Sequence, residues 1–306
     1  MAESKKELMD EIRRLAKEKD AVILAHYYVN ADVQDIADYV GDSYALARKA
    51  KEDPRKTIVF CGVTFMGESA CVLNPDKTVL VPAPTAVCPM ALMVDEKKIA
   101  EMRAKYDDLA VVCYINSTAH IKSLSDICVT SSNALKIVRG LPNKNIFFIP
   151  DGNLGRFVKD QIPEKNVILN DGYCHVHTSI TAAAIEKAAH ECVNAKVIAH
   201  PECTKEVCDL ADYLGSTKEL IDFVKNDGAD EYIVCTESGV LHEMQKVAPG
   251  KKFHFVGAKQ VCPNMKKITL ENVRDALKNG TPKAECTEEL RMKSSVPLDR
   301  MLEAAK

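Results

Sequence analysis

The chain has 306 residues, enough for two or three domains of ordinary size. Hydrophobic residues make up 46% of it and charged residues 28%, which is typical of a soluble globular protein. The 41 basic and 44 acidic side chains are mixed along the chain and leave a net charge of −3, so no basic field for nucleic acid is evident. We expect no nucleic-acid partner, and an anionic small molecule would need local binding features.

No segment has the apolar length of a signal peptide or a membrane span, so we expect a cytoplasmic protein without a membrane partner. Twelve cysteines in such a chain indicate metal ligands or core residues rather than disulfides. The sequence has no Cys-x-x-Cys pair, which excludes zinc ribbons, thioredoxin-type sites and the clustered cysteines of radical-SAM enzymes.

The predicted elements follow one pattern three times. Each copy opens with an amphipathic helix, at residues 5–17, 91–105 and 179–191. A β-branched strand that ends in polar side chains follows, at residues 21–28, 110–116 and 195–202. A helix and turn come next, at residues 35–43, 123–131 and 209–217, and then a second helix, for instance at 217–225.

Second and third strands complete each copy. The second strands are predicted at residues 57–61, 145–149 and 231–235, and the third strands begin at residues 78, 166 and 253. Each third strand leads shortly to one cysteine, namely Cys88, Cys174 or Cys262. Since these cysteines recur 86 and 88 residues apart, the copies form an internal repeat.

Alternating strands and helices predict an α/β fold with short parallel sheets. We expect three similar α/β/α sandwich domains with three-stranded sheets, arranged with pseudo-threefold symmetry around a central cavity. Their predicted bounds are residues 1–88, 89–174 and 175–262. The tail, residues 263–306, is helix-prone near 298–305 and is expected to pack on the first domain.

Ligands of parallel α/β units bind beyond the carboxyl ends of the strands. Three converging units would bring the cysteines together with the polar residues at these ends, namely His26, Tyr28, Tyr114, Asn116, His200 and Glu202. Ser43, Ser131 and the Ser216-Thr217 pair each precede a helix, and Ser216 has capping-box spacing to Glu219. They could be ordinary N-caps, but three converging helix N-termini would also form a cradle for carboxylate or phosphate groups.

Three thiolates are one too few to bind every iron of a [4Fe-4S] cluster, so one iron would keep an open position. A zinc site completed by His175 or His177 is the competing interpretation, and the pattern favours the cluster. Cys61, Cys113 and Cys235 lie in strand-like runs, whereas Cys203 and Cys208 fall outside the equivalent positions. We expect none of these five cysteines to be a ligand.

Several motifs resemble the quinolinate synthase family (NadA) over essentially the whole chain. They are Leu24-Ala-His-Tyr-Tyr28, Ile36-Ala-Asp-Tyr-Val-Gly-Asp-Ser43, Phe65-Met66, Asn74-Pro-Asp-Lys77, Tyr114-Ile-Asn-Ser117, Gly172-Tyr-Cys-His-Val-His177 and His200-Pro-Glu202. The resemblance implies condensation of iminoaspartate with dihydroxyacetone phosphate, with loss of phosphate and two waters, to give quinolinate for NAD synthesis. It also implies an open-site [4Fe-4S] cluster as Lewis acid and a transient link to an iminoaspartate-producing enzyme.

The resemblance assigns roles by position. Cys88, Cys174 and Cys262 would be the cluster ligands, and Cys262 stands in Cys262-Pro-Asn-Met265 rather than in the Cys-x-x-Cys-x-x-Cys run of some family members. Substrate would be bound by His26, Ser43, Tyr114, Ile115, Asn116, Ser131, His200, Pro201, Glu202 and Thr217. Glu202 is the preferred acid or base, because burial could raise its pKa. Tyr28 comes second, and His26 or His200 third.

Two other classes remain open. A related three-domain cluster protein, of the diphthamide-synthesis or isoprenoid-reductase type, could share the architecture. A non-catalytic iron–sulfur or zinc sensor could share the cysteines. The Tyr-x-Asn and His-Pro-Glu strand ends argue against the first class, and three anion-binding helix ends argue against the second. Reactive imines would also require closure of one domain on the others.

Overall fold

The computed structural model describes residues 4–257 and 260–305. Residues 1–3 of the first predicted repeat, 258–259 of the third and 306 of the tail lie outside this range. In the described part, three parallel four-stranded sheets alternate with helices along the chain. The predicted α/β class with three similar units is therefore confirmed.

The strands of the three sheets occupy corresponding places in the sequence. They are β1 (Ala21–His26), β2 (Tyr39–Gly41), β3 (Thr57–Cys61) and β4 (Thr78–Leu80), then β5 (Leu109–Tyr114), β6 (Ile127–Val129), β7 (Asn145–Ile149) and β8 (Asn166–Leu169), then β9 (Lys196–Ala199), β10 (Tyr213–Leu214), β11 (Glu231–Cys235) and β12 (Lys252–His254). The strand orders are β2-β1-β3-β4, β6-β5-β7-β8 and β10-β9-β11-β12. All three sheets therefore have the same topology.

Helices connect these strands and follow the last sheet. They are α1 (Lys5–Glu18), α2 (Ala31–Ile36), α3 (Ser43–Glu52), α4 (Thr64–Leu73), α5 (Glu96–Lys105), α6 (Ala119–Ser123), α7 (Ala134–Gly140), α8 (Gly152–Gln161), α9 (Ala182–Glu191), α10 (Lys205–Asp209), α11 (Thr217–Asn226), α12 (Leu241–Val247), α13 (Leu270–Asn279) and α14 (Glu288–Ala304). Helices α5 and α9 begin later than predicted, because Asp95 and Thr181 cap them.

The prediction of three-stranded sheets was wrong by one strand per unit. The additional strands β2, β6 and β10 have only two or three residues, and they fall where a helix and turn were predicted. The same side-chain contact holds each of them beside the first strand of its unit. The carboxylates of Asp38, Asp126 and Asp212 accept the backbone N–H groups of Ile23, Val111 and Val197 at 2.7–2.8 Å.

A lysine before the last strand of each unit repeats a second contact. Each ammonium group donates to two backbone carbonyls at or just after the end of α3, α7 or α11, at 2.5–2.8 Å, and the lysines are Lys77, Lys165 and Lys251. These bonds satisfy helix-end carbonyls that have no intrahelical partner. A lysine at the equivalent position therefore makes the same contacts in all three units, as expected for an internal repeat.

The first two units share one hydrophobic core with the tail. All six residues of β1 and of β5 are buried, as expected for strands covered on both faces. In the tail, α13 packs on α1, whereas α14 packs on α4, α6 and β6. The tail therefore contacts the first and the second unit together.

We expect Leu298→Ala to lower the free energy of unfolding by about 2–5 kcal/mol, because it removes a fully buried side chain of α14 and leaves a cavity. Val296→Ala on the same helix should cost less than about 0.5 kcal/mol, since that side chain is 47% exposed. Urea unfolding measures both changes. Equal losses in the two variants would contradict the packing of α14.

Candidate active site and metal centre

One cavity lies where the carboxyl ends of strands from all three sheets meet. Twelve of the predicted site residues line it, namely His26, Tyr28, Ser43, Cys88, Tyr114, Asn116, Ser131, Cys174, His200, Glu202, Thr217 and Cys262. Ile115 and Pro201 are buried but do not line this cavity, and Pro201 contributes to a separate groove. The parallel register explains the convergence, because each first strand ends at the same edge of its sheet.

The three predicted ligands Cys88, Cys174 and Cys262 are half-buried free cysteines in the cavity wall. Burial is the main reason why the pKa of each thiol is raised, in the case of Cys88 to about 12. Charge on Cys262 would raise the pKa of Cys88 further, so the thiols are close enough to influence one another. A metal cation would remove this penalty, since it stabilises thiolates that burial disfavours.

The five cysteines predicted not to be ligands lie away from the cavity wall. Cys61, Cys113 and Cys235 are buried within β3, β5 and β11. Cys203 and Cys208 are also buried, and their thiols donate to the carbonyls of Cys235 and Cys203. None of the five is among the residues that line the cavity.

Glu202 is the centre of a buried hydrogen-bond network. Its two carboxylate oxygens lie 2.5 Å from the Tyr114 hydroxyl and 2.8 Å from Nδ1 of His177. Burial raises the pKa of Glu202, but the His177 ring and the Tyr114 hydroxyl outweigh burial and lower the pKa below its ordinary value. The expectation of a raised pKa was therefore wrong. Glu202 is an ionised acceptor that two donors orient.

His26 and His200 occupy equivalent positions in their units and make the same local contact, each with the backbone N–H two residues further on. Nδ1 of His26 accepts the N–H of Tyr28 at 3.1 Å, and Nδ1 of His200 accepts the N–H of Glu202 at 3.2 Å. Because a backbone N–H can only donate, each neutral ring carries its proton on Nε2. Burial lowers the pKa of both rings to about 3. Both rings are therefore neutral near pH 7 and carry an Nε2–H donor.

Tyr28 connects the first unit to the third. Its hydroxyl lies 2.7 Å from Oγ1 of Thr217 and 2.8 Å from Oγ1 of Thr236. Burial raises the pKa of Tyr28 well above its ordinary value, so the phenol stays protonated. Thr236 also lies 2.9 Å from Nε2 of His177. Hydrogen bonds therefore run from Tyr28 through Thr236 and His177 to Glu202.

The predicted helix caps are only partly correct. Ser216 caps α11 in a capping box with Glu219, as predicted. Ser43 is instead the first residue of α3, which Asp42 caps, and Ser131 precedes α7, which begins after Asn133. The hydroxyls of Ser43, Ser131 and Thr217 nevertheless belong to the cavity wall. Because the caps are neighbouring residues, the hydroxyls of Ser43 and Ser131 are not used for capping, whereas the Thr217 hydroxyl bonds that of Tyr28.

Some cavity residues were not among the predicted site residues. They include His177, Asp42, Thr130 and Glu237, together with the apolar residues Val63, Phe65, Met66, Met90, Val176 and Met265. His177 had been considered only as a ligand of zinc, although its place three residues after Cys174 signalled proximity to the site. Glu237 lies just beyond β11, and it could have been predicted because ligands bind beyond the carboxyl ends of parallel strands.

Among residues 4–257 and 260–305, two groups of side chains have potential ligand atoms within 4.8 Å of one another, as metal binding requires. Cys174, His177 and Glu202 form one inside the cavity, whereas His175 does not line it. Cys192, Glu231 and His254 form the other at the outer edge of the third sheet. There Lys252 already pairs with Glu231 at 2.7 Å, so the carboxylate has a counter-ion. The cavity group is therefore the better candidate metal centre.

The fold and the site define a three-sheet α/β enzyme with sulfur, nitrogen and carboxylate donors in one buried cavity. The family model for quinolinate synthetase A protein (NadA) matches residues 10–303, and the chain belongs to this family. Among the described residues, no helix has the length and apolar character needed to cross a membrane.

Relatives named quinolinate synthase match almost the whole chain. One from Fusobacterium nucleatum is 51% identical over 97% of this chain and 99% of its own. Others from Caldicellulosiruptor bescii and Clostridioides difficile are 49% and 48% identical, over 97% and 90% of this chain and 98% and 90% of their own. The chain therefore spans these enzymes essentially from end to end.

Proposed function

We propose that the protein condenses iminoaspartate with dihydroxyacetone phosphate to quinolinate in the cytoplasm, releasing phosphate and two waters, as a step of de novo NAD synthesis. The observation that carries this proposal is the convergence of three cysteines and the polar ends of three first strands on one cavity. A transient link to an iminoaspartate-producing enzyme would protect an imine that water hydrolyses.

We further propose that Cys88, Cys174 and Cys262 hold a [4Fe-4S] cluster with one open iron. The donor set fits this group, because three half-buried thiols of raised pKa line one cavity and a cation would favour their ionised form. When bound, the cluster would supply a Lewis acid that assists the departure of hydroxide from substrate.

The protein side chains bind and orient the substrates in this proposal. The Nε2–H groups of His26 and His200 donate to substrate oxygens without adding charge. Oδ1 of Asn116 is buried and has no hydrogen-bond partner in the described part of the chain, so it can accept a substrate N–H or O–H. Hydroxyls of Ser43 and Thr217 stand at the N-termini of α3 and α11, where partial positive charge favours carboxylate or phosphate groups.

Glu202 is the proposed base. It is ionised and lies in the cavity, so it can take a proton from a carbon next to an imine or carbonyl group. The Tyr114 hydroxyl and His177 hold its two oxygens and prevent rotation of the carboxylate. Burial of the network excludes competing water, which also protects the imine.

A zinc centre of Cys174, His177 and Glu202 is the second candidate. Their mutual proximity favours it, but it would leave Cys88 and Cys262 without a role. It would also use the carboxylate that the reaction needs. Metal analysis after anaerobic purification separates the two, because iron with sulfide supports the cluster and zinc alone supports the second candidate.

We expect Ser43→Ala and Thr217→Val each to raise KM about tenfold, since a hydrogen bond to a charged group is worth about 1.5–3 kcal/mol. Ser295→Ala, on α14 and not among the residues that line the cavity, should leave KM unchanged. Steady-state kinetics with each substrate varied in turn would show which anion each hydroxyl binds. Unchanged KM values for both substrates would contradict the proposed cradle.

The reaction is tested with anaerobically purified protein, iminoaspartate and dihydroxyacetone phosphate. Quinolinate and phosphate should appear in equal amounts, and neither should form when one substrate is left out. Phosphate release without quinolinate would refute the proposed condensation.

A further inference from the structure

Lys266 and Glu237 form an ion pair at the wall of the cavity. Nζ of Lys266 lies 3.1 Å from Oε1 of Glu237, whose side chain is only 1% exposed. A carboxylate so deeply buried costs much free energy unless a cation and hydrogen bonds compensate it. Lys266 follows Cys262 by four residues, and its backbone N–H donates to the Cys262 carbonyl at 3.1 Å. The ion pair is therefore built into the segment that carries a candidate ligand.

The carboxylate of Glu237 holds two backbone groups. Oε1 accepts the N–H of Cys262 at 2.9 Å, and Oε2 accepts the N–H of Gly239 at 2.6 Å. These bonds fix the Cys262 segment to the end of β11. The position of the Cys262 thiol in the cavity therefore depends on the position of the Glu237 carboxylate.

The ammonium of Lys266 also reaches the first unit. Nζ donates to the carbonyl of Tyr28 at 2.6 Å. The hydroxyl at the other end of Tyr28 contacts Thr217 and Thr236, which belong to the third unit. Tyr28 is thus held at its hydroxyl by the third unit and at its backbone by Lys266, four residues after the end of that unit.

Gly239 shows how closely these groups meet. A Cβ atom at this position would lie 2.8 Å from both Nζ of Lys266 and Cα of Tyr28, and 2.7 Å from Oε2 of Glu237. No side chain fits there without displacing the backbone of Tyr28. The absence of a side chain at Gly239 therefore permits the direct contact between the ion pair and the Tyr28 strand end.

We propose that Lys266 is a positioning residue for the reaction, a role that rests on the function proposed above. Its ammonium group fixes Cys262 through Glu237 and fixes Tyr28 directly, so it sets the distance between a cluster ligand and a substrate-orienting phenol. Lys266 itself does not touch substrate. A displacement of about 1 Å at a reacting group can cost about a hundredfold in rate, so this indirect role has a measurable effect.

A purely structural role would have a different consequence. If Lys266 only neutralised Glu237, removing both charges together would restore the enzyme. The double variant Lys266→Met, Glu237→Gln removes both charges and keeps a side-chain oxygen for the Cys262 N–H, while its amide nitrogen replaces the oxygen that accepts the Gly239 N–H. It does not replace the donor to the Tyr28 carbonyl. The two roles therefore predict different turnover for this variant.

The experiment compares kcat per bound cluster with the rate at which a chelator removes iron from the anaerobic protein. Lys266→Met should lower kcat about ten- to a hundredfold, with KM changed less than about threefold, and should release iron about tenfold faster. The double variant should recover slow iron release but keep the low kcat. Lys266→Arg should recover most of both, since it restores a cationic donor.

Lys267→Met is the matched control, because Lys267 is exposed and its ammonium donates to the Thr85 carbonyl at the surface. It should behave as the unaltered protein. Normal kcat in Lys266→Met, or full recovery of kcat in the double variant, would overturn the positioning role. If the unaltered protein forms no quinolinate, the proposed function fails, whereas the iron-release comparison still tests the effect on Cys262.

Discussion

The Cys88→Ala variant is expected to lose its iron–sulfur cluster and all measurable quinolinate formation together. Two thiols cannot hold a cuboidal cluster that already has one ligand fewer than usual. Cys88 enters the cavity from the first unit, and Cys174 and Cys262 come from the other two, so no nearby cysteine of the wall can replace it. The measurement is iron, sulfide and visible absorption on the same anaerobic sample that is assayed.

Cys71→Ala provides the control for this variant. Cys71 lies in the same unit, on α4, and is half-buried like Cys88, but its thiol donates to the Ala284 carbonyl outside the cavity. It should keep its iron and its activity. Quinolinate formation by Cys88→Ala at the normal rate would refute the assignment of the three ligands.

Glu202→Gln should lower kcat by about a hundred- to ten-thousandfold, the usual effect of losing a positioned base. The amide has nearly the shape of the carboxylate, so it tests basicity more than packing. It also replaces one acceptor oxygen by a donor, which must then face the Tyr114 hydroxyl or His177. The cluster content should stay normal, since Glu202 is not one of the proposed ligands.

Glu206→Gln is the matched control for Glu202→Gln. Glu206 lies one helical turn further on, at the exposed start of α10, and contacts no cavity residue named above. Its kcat should stay within about twofold of normal. A Glu202→Gln variant that has lost its metal would instead indicate that Glu202 is a ligand, as the zinc centre requires.

Sequence reasoning predicted the repeat because each unit reuses the same local contacts. The apolar runs of β1 and β5 are buried along their whole length. The aspartates that follow them, Asp38 and Asp126, each accept a backbone N–H of the strand in the same way. Such patterns depend on neighbours in the chain and can be read from the sequence. Strands β2, β6 and β10 could not, because two or three residues carry no periodicity and gain their structure from pairing with the first strand.

The sequence predicted which residues lie together in the cavity, but it did not predict their protonation states. The position of Glu202 after β9 follows from the repeat, whereas its lowered pKa depends on His177 and on Tyr114 from another unit. The same holds for Lys266, whose contact with Tyr28 joins residues 238 positions apart. Long-range contacts of this kind decide whether a group is an acid, a base or a positioning residue.

The decisive measurement is a crystal structure of the anaerobically purified protein with diffraction recorded at the iron edge. We expect one cuboidal cluster bound by Sγ of Cys88, Cys174 and Cys262, with about four iron atoms and one of them without a protein ligand. A protein side chain on that fourth iron, or a zinc ion bound to Cys174, His177 and Glu202, would contradict it.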